Sequence, residues 1–127
     1  QAGGGEPGGP SIDVVLTEAE PVPGGSFAGE VLVVPPRDAR PRDLAIEIRV
    51  LRDARQGGQR VRTQVRRIRH SIALPATPGE PLSFRVPIPE EFPPPSRVAF
   101  NHVWWELSVF LPVYARAAKA TITFDVP

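Results

Sequence analysis

Hydrophobic residues recur at every second position along most of this chain. In one run, Leu44, Ile46 and Ile48 are separated by Ala45 and Glu47. Such alternation puts the apolar side chains on one face of a half-buried β-strand. No segment combines helix caps with a 3.6-residue period, so the sequence predicts an all-β chain. The other alternating runs span residues 12–16, 27–33, 82–88, 103–111 and 120–126.

Turn-forming residues separate these runs. The 17 Pro and 11 Gly lie mostly between the apolar segments, where they favour tight turns. Strands of this number and spacing are typical of a two-sheet, immunoglobulin-like β-sandwich of about seven or eight strands. We expect one such domain over residues 11–127. The glycine-rich segment Gln1–Pro10 has little apolar surface to bury, so we expect a flexible leader there.

One run changes parity along its length. Val61 and Val65 stand at odd positions, whereas Ile68 and Ile72 stand at even positions. A single extra residue would bring both pairs to the same face of a strand, so the sequence predicts a β-bulge or break near Arg66–Arg67.

Three stretches in chain order carry motifs of a known family. They are a Gly-rich turn entering a strand with an inner Gly (23–33), a Phe-Arg-Val-Pro-Ile-Pro strand running into a proline–serine corner (82–96), and an aromatic strand (103–109). Together they resemble the arrestin-like superfamily, and more closely its bacterial members, such as the sporulation-control proteins. The resemblance implies an immunoglobulin-like sandwich used for protein–protein scaffolding. Eukaryotic arrestins sense phosphate through basic residues in their first strand, but segment 12–18 has no Lys or Arg, so we do not expect phosphate sensing there.

The prolines and tryptophans allow more local predictions. Pro87 and Pro89 lack a backbone N–H, so we expect their strand to lie at a sheet edge. The segment Pro93–Pro95 favours an extended chain that crosses from one sheet to the other. Trp105 has apolar neighbours at two-residue spacing and is expected to be the largest buried side chain, whereas its neighbour Trp104 points to the opposite face.

The composition disfavours an enzyme, a cofactor or a metal. The chain has no Cys and only His70 and His102, which is too few nitrogen and sulfur ligands for a zinc site. Glu90 and Glu91 are adjacent, so on an extended chain they point apart and cannot act as a carboxylate pair. No strained nucleophile turn is present.

The distribution of charge indicates a surface for an anionic partner. Residues 40–70 contain ten Arg and three acidic residues, a net charge of +7, although the whole chain has a net charge of +1. Guanidinium groups suit carboxylates and phosphates, so the cluster is a candidate site for an acidic protein segment or membrane headgroups. A solubilising edge strand is the simpler alternative. The near-neutral total charge disfavours nucleic acid. The candidate residues are Arg60, Arg62 and Arg66, expected to share one face, and Arg67 and Arg69, expected to be turned by the bulge.

Trp104 is the other candidate binding residue. An exposed indole there would be an anchor for a protein partner or a stacking platform for a sugar. The alternative is a ring covered by the leader or by the loop around Tyr114.

These observations favour a non-catalytic protein-interaction or scaffolding domain that docks a partner on the arginine face or by strand addition. Two alternatives remain: an extracytoplasmic sandwich that binds carbohydrate or cell-surface ligands, and a passive spacer domain of a larger, membrane-anchored protein. Because the chain begins with Gln1, we expect it to be part of a longer protein, so any membrane link would come from a flanking segment. The excess of Arg over Lys suggests a GC-rich, bacterial genome, and the compartment is undetermined.

Overall fold

The computed structural model describes residues 2–5, 10–35, 41–75, 77, 79–112 and 118–126. Within these ranges the chain forms nine β-strands, all paired antiparallel. Their bounds are β1 Ala2–Gly5, β2 Ser11–Ala19, β3 Ser26–Val34, β4 Asp43–Gln56, β5 Gln59–Ala73, β6 Leu82–Pro87, β7 Ser96–Val98, β8 Asn101–Phe110 and β9 Lys119–Phe124.

The strands form two sheets. Sheet A has the order β1-β2-β3-β6, and sheet B has the order β5-β4-β8-β7, with β9 also paired to β8. Apolar side chains from both sheets form one buried cluster, as expected for two sheets packed face to face. The all-β, two-sheet sandwich predicted from the period-two pattern is therefore confirmed.

Aromatic side chains join the two sheets at the centre of this core. Trp105 of β8 is fully buried, and its ring meets Phe27 of β3 edge-on at 6.4 Å and Phe92 edge-on at 5.9 Å between centroids. Its indole Nε1 donates a hydrogen bond to the carbonyl of Pro93 at 2.8 Å. Phe124 of β9 stacks on Phe27 at 4.6 Å. The predicted role of Trp105 as the largest buried side chain is confirmed.

The expected positions of the prolines are also confirmed. β6, which ends at Pro87, is an edge strand of sheet A. Pro93–Pro95 lies between β6 of sheet A and β7 of sheet B, so it makes the crossing between the sheets.

The N-terminal segment differs from the expected flexible leader. Ala2–Gly5 pairs with β2, with Gly3 opposite Asp13 and Gly5 opposite Ser11. Backbone groups alone can form a ladder, and this pairing satisfies the edge of β2 without needing apolar side chains. Residues 1 and 6–9 lie outside the described ranges.

Candidate binding surface

A β-bulge decides which arginines of β5 share a face. Val50 of β4 pairs with Arg66, whereas Leu51 pairs with Gln64, so Val65 is the extra residue. The predicted bulge is confirmed, one residue before the expected position. Val50 is buried in the core, so its partner Arg66 lies on the inner side of the sheet. The side chain of Arg66 is nevertheless exposed, and it donates a hydrogen bond to the carbonyl of Val65.

The expectation that Arg66 shares a face with Arg60 and Arg62 is therefore wrong. The extra residue comes before Arg66 in the chain, so it reverses the parity of Arg66, Arg67 and Arg69 relative to Arg60 and Arg62. The outer face of sheet B instead carries four of the five predicted arginines. These are Arg60, Arg62, Arg67 and Arg69, which pair with Arg55, Asp53, Arg49 and Glu47 of β4.

Ion pairs occupy part of this outer face. The guanidinium of Arg62 holds both carboxylate oxygens of Asp53, with nitrogen–oxygen distances of 2.9 and 3.3 Å. These hydrogen bonds keep the pKa of Asp53 below its ordinary value, although desolvation opposes them. Arg67 Nε lies 3.5 Å from a carboxylate oxygen of Glu47, and this side chain of Arg67 remains half exposed. Exposed pairs of this kind contribute little stability and leave donors for a ligand.

Two arginines of β5 lie over aromatic rings of β8. The guanidinium of Arg62 is 5.0 Å from the ring centre of Trp104, and that of Arg69 is 5.1 Å from the ring centre of Phe110. Such cation–π contacts hold the long side chains flat against the sheet. They fix the position of positive charge along the outer face.

Trp104 is covered rather than exposed. Its side chain is on the outer face as predicted, but only 7% of the residue is accessible. His102 stacks on the ring at 4.8 Å, and Arg62 covers it from β5. The cover thus comes from neighbouring strands rather than from the leader or the Tyr114 loop, whose residues 113–117 lie outside the described ranges. A free indole face for a protein anchor or a sugar is not present at this position.

The free edge of β5 runs beside the arginines. In the described part of the chain, the fifteen-residue strand β5 pairs only with β4, so its other side offers unpaired backbone groups. On the inner side of this edge, Val65, Ile68 and Ile72 pack against the core but stay partly exposed. The edge therefore combines free backbone, arginines on one face and apolar surface on the other.

A pocket lies at one end of the outer face, which we call the tip pocket. The β4–β5 hairpin and the β7–β8 hairpin form its walls, since Ala54 of β4 pairs with Asn101 of β8. Its volume is about 360 Å³. The lining residues are Asp53, Arg55, Arg60, Arg97, Ala99, Phe100, Asn101 and His102.

Among the residues that line this pocket, only Arg60 is one that the sequence marks as a candidate binding residue. Arg55 belongs to the recognised arginine-rich segment, but its place beside Arg97 depends on the pairing of β4 with β8. Arg97 comes from a part of the chain about forty residues away, and no local pattern marks it. Predicting that these arginines lie close together would have required the register of the strands.

His102 forms a small polar network beside the tip pocket. Its Nε2 lies 2.7 Å from Asp125 Oδ1, and Arg97 lies 3.4 Å from the other carboxylate oxygen. Partial burial raises the pKa of Asp125, but hydrogen bonds from His102 and from the backbone N–H of Val126, together with electrostatic attraction to His102 and Arg97, bring the net shift downward. No Ser or Thr hydroxyl contacts His102 among the described residues, so the pair has no nucleophile beside it.

The described ranges show neither a metal-ligand cluster nor a membrane-spanning helix. They contain no cluster of three or more His, Asp or Glu side chains suited to hold a metal ion. Nor do they contain a helix with the length and hydrophobicity needed to span a bilayer.

Comparison with known proteins gives a structural match. No protein-family model matches the chain, and no curated protein matches it. Among solved structures, it is similar to Spo0M, a sporulation control protein from Bacillus subtilis, with a TM-score of 0.51 and 16% sequence identity. The match covers 99% of this chain and 49% of that chain, so the chain spans about half the length of Spo0M. Together with the two-sheet sandwich, this likeness shows that the chain has the arrestin-like fold that its sequence motifs indicate.

Proposed function

We propose that the chain is a non-enzymatic protein-interaction domain that binds an extended, acidic segment of a protein partner along β5. The observation that carries the proposal is the free edge of β5 with four arginines on the outer face beside it. The similarity to an arrestin-like fold is consistent with an interaction domain.

The backbone of β5 supplies the first part of the binding energy. An edge strand can accept a further strand through its unpaired N–H and C=O groups. β5 extends over fifteen residues, whereas the edge strands of sheet A are shorter: β1 has four residues, and β6 has six and ends in Pro87. The longer edge, without proline, is therefore the better acceptor.

The side chains of β5 favour a particular partner sequence. An added strand presents alternate residues to the two faces of the sheet. On the outer face its side chains would meet Arg67 and Arg69, and on the inner face they would meet the partly exposed Ile68 and Ile72. A segment in which acidic and apolar residues alternate matches both sides.

The described part of the structure offers no comparable surface for the alternative functions. A sugar platform at Trp104 requires an open ring face, and that face is covered by His102 and Arg62. The structure brings His102 next to Asp125, but a catalytic triad would also need a Ser or Thr hydroxyl, and none is hydrogen-bonded to His102 among the residues described. A passive spacer would bind no peptide at β5, so the binding test separates it from the proposal.

Binding of a designed peptide tests the proposal. The probe is a fluorescent ten-residue peptide in which Glu alternates with Val or Thr, and the control peptide has the same composition with its Glu residues grouped at one end. We expect the alternating peptide to bind more tightly, as measured by fluorescence anisotropy, with an affinity that falls as salt is added.

Charge reversal locates the peptide. The variant Arg67→Glu/Arg69→Glu should weaken binding by about 1–3 kcal/mol, or roughly 5- to 150-fold, because each exposed ion pair is worth ~0.2–1 kcal/mol and reversal adds repulsion of similar size. The matched control is Arg85→Glu, an exposed arginine of sheet A that pairs with Glu18. Equal loss in both variants, or none in either, would contradict docking at β5.

A further inference from the structure

The tip pocket contains two arginines that oppose each other directly. Arg55 and Arg60 are cross-strand partners next to the β4–β5 turn, and both are exposed. Like charges at directly opposed positions of a sheet repel each other. The turn itself is tight, since Gly57 and Gly58 both have positive φ, at 59° and 82°. The two guanidinium groups are therefore kept on the same side of a short hairpin.

The carboxylates at the tip pocket have other partners. Asp53 is held by Arg62 through two hydrogen bonds. Among the described residues, no carboxylate lies within ion-pair distance of Arg55 or Arg60. Within the described ranges, Arg55 and Arg60 therefore have no ion-pair partner on this wall, although Asp53 interacts with Arg60 at longer range.

The opposite wall carries a third guanidinium. Arg97 of β7 lies 3.4 Å from Asp125, but that carboxylate is already held more closely by His102, at 2.7 Å. The side chain of Arg97 is also 62% exposed. Most of its five N–H donors remain available to a ligand.

A strained turn shapes the mouth of the pocket. Ala99, in the β7–β8 hairpin, has a φ of 49°, a conformation that costs a residue with a Cβ free energy. The turn places the Phe100 ring under the guanidinium of Arg55, at 4.9 Å, and leaves Phe100 66% exposed. This contact restrains Arg55 at the pocket wall before any ligand arrives.

We propose that the tip pocket is a binding site for a compact dianionic oxyanion, carried either by a small molecule or by a modified or acidic group of a partner. Three guanidinium groups converge on a space of about 360 Å³, at the small end of the range for ligand pockets. Guanidinium forks bind pairs of anionic oxygens. A group with two negative charges complements these three arginines better than a single carboxylate does. The site can be tested separately from strand addition at β5, because Arg55 and Arg97 belong to other strands and only Arg60 is shared.

Titration with simple anions tests this site. The probes are inorganic phosphate and succinate, with acetate as the monoanion at matched ionic strength, and binding is followed by NMR through the arginine Nε–H signals and the backbone amides of residues 97–102. We expect both dianions, or one of them, to bind at least ~5-fold more tightly than acetate and to shift the signals of Arg55 and Arg97. A preference for phosphate would identify phosphate-ester chemistry, and a preference for succinate would identify paired carboxylates.

Two variants complete the test. Arg55→Gln/Arg97→Gln should weaken dianion binding at least ~5-fold and leave the affinity for the alternating peptide within about twofold. Arg69→Gln, on the same face but outside the pocket, should leave dianion binding unchanged. Acetate binding as tightly as the dianions, or dianion binding unaffected by Arg55→Gln/Arg97→Gln, would overturn the proposal whether or not the peptide binds at β5.

Discussion

Replacement of Trp105 by Phe should destabilise the domain and loosen the wall of the tip pocket. Trp105 is fully buried, and its Nε1 holds the carbonyl of Pro93 at 2.8 Å. Pro93 begins the crossing from sheet A to β7, which carries Arg97. The same hydrogen bond therefore links the centre of the core to the position of a pocket residue.

Two losses determine the size of the effect. Exchanging an indole for a phenyl ring removes roughly 40 Å² of buried apolar area, or about 1 kcal/mol at ~25 cal/mol per Å². The Pro93 carbonyl then loses its donor inside the protein, which costs about 1–3 kcal/mol. The free energy of unfolding should fall by about 2–4 kcal/mol.

Urea unfolding followed by far-UV circular dichroism measures this loss. With a dependence on urea of about 2 kcal/mol/M, the midpoint should fall by roughly 1–2 M. Trp104→Phe is the matched control, because Trp104 is also buried but its indole N–H makes a longer hydrogen bond, 3.3 Å to Glu106. If Trp105→Phe shifts the midpoint no more than Trp104→Phe, the link between the core and the crossing segment is wrong.

Two further substitutions test the packing of sheet A and the charge on sheet B. Gly29→Ala should destabilise the domain by about 3 kcal/mol. A Cβ at this position would lie 2.3 Å from the carbonyl oxygen of Val15, and the backbone cannot move aside as a side chain can. A urea midpoint equal to that of the wild type would refute this. Asp53→Asn should lose the stabilisation from Arg62 at pH 7. Because the pKa of Asp53 is lower in the folded protein than its ordinary 3.8, that contribution is complete above pH ~4 and is lost as the pH falls through the folded value. The stability difference from wild type should therefore shrink in unfolding curves below pH 4, and a difference independent of pH would count against the ion pair.

The period-two pattern predicted the strands well because one face of each must enter the core. The positions of Trp105 and of the Pro93–Pro95 crossing followed from local chemistry. The parity change between Val65 and Ile68 located the bulge to within one residue. That residue was enough to put Arg66 on the wrong face, since a shift of one position reverses every side chain beyond it.

Features that depend on non-local pairing were not predictable from the sequence. The strand Ala2–Gly5 has no hydrophobic pattern, because its pairing with β2 needs only backbone. The tip pocket requires the register between β4 and β8, which brings Arg55 near Arg97. The side chain of Trp104 lies on the predicted face. Its burial could not be predicted, because the covering residue Arg62 comes from another strand and His102 stacks on the ring from the same strand.

Hydrogen exchange of the β5 amides would show whether a peptide adds to this edge. In an antiparallel strand, alternate N–H groups point to the two sides, so on either side of the bulge at Val65 every second amide of β5 faces away from β4. On addition of the alternating peptide, these amides should exchange more slowly, while the amides of β6 keep their rates. Slower exchange at β6 or at the β1–β2 edge, or unchanged exchange throughout β5 at a saturating peptide concentration, would contradict strand addition at this edge.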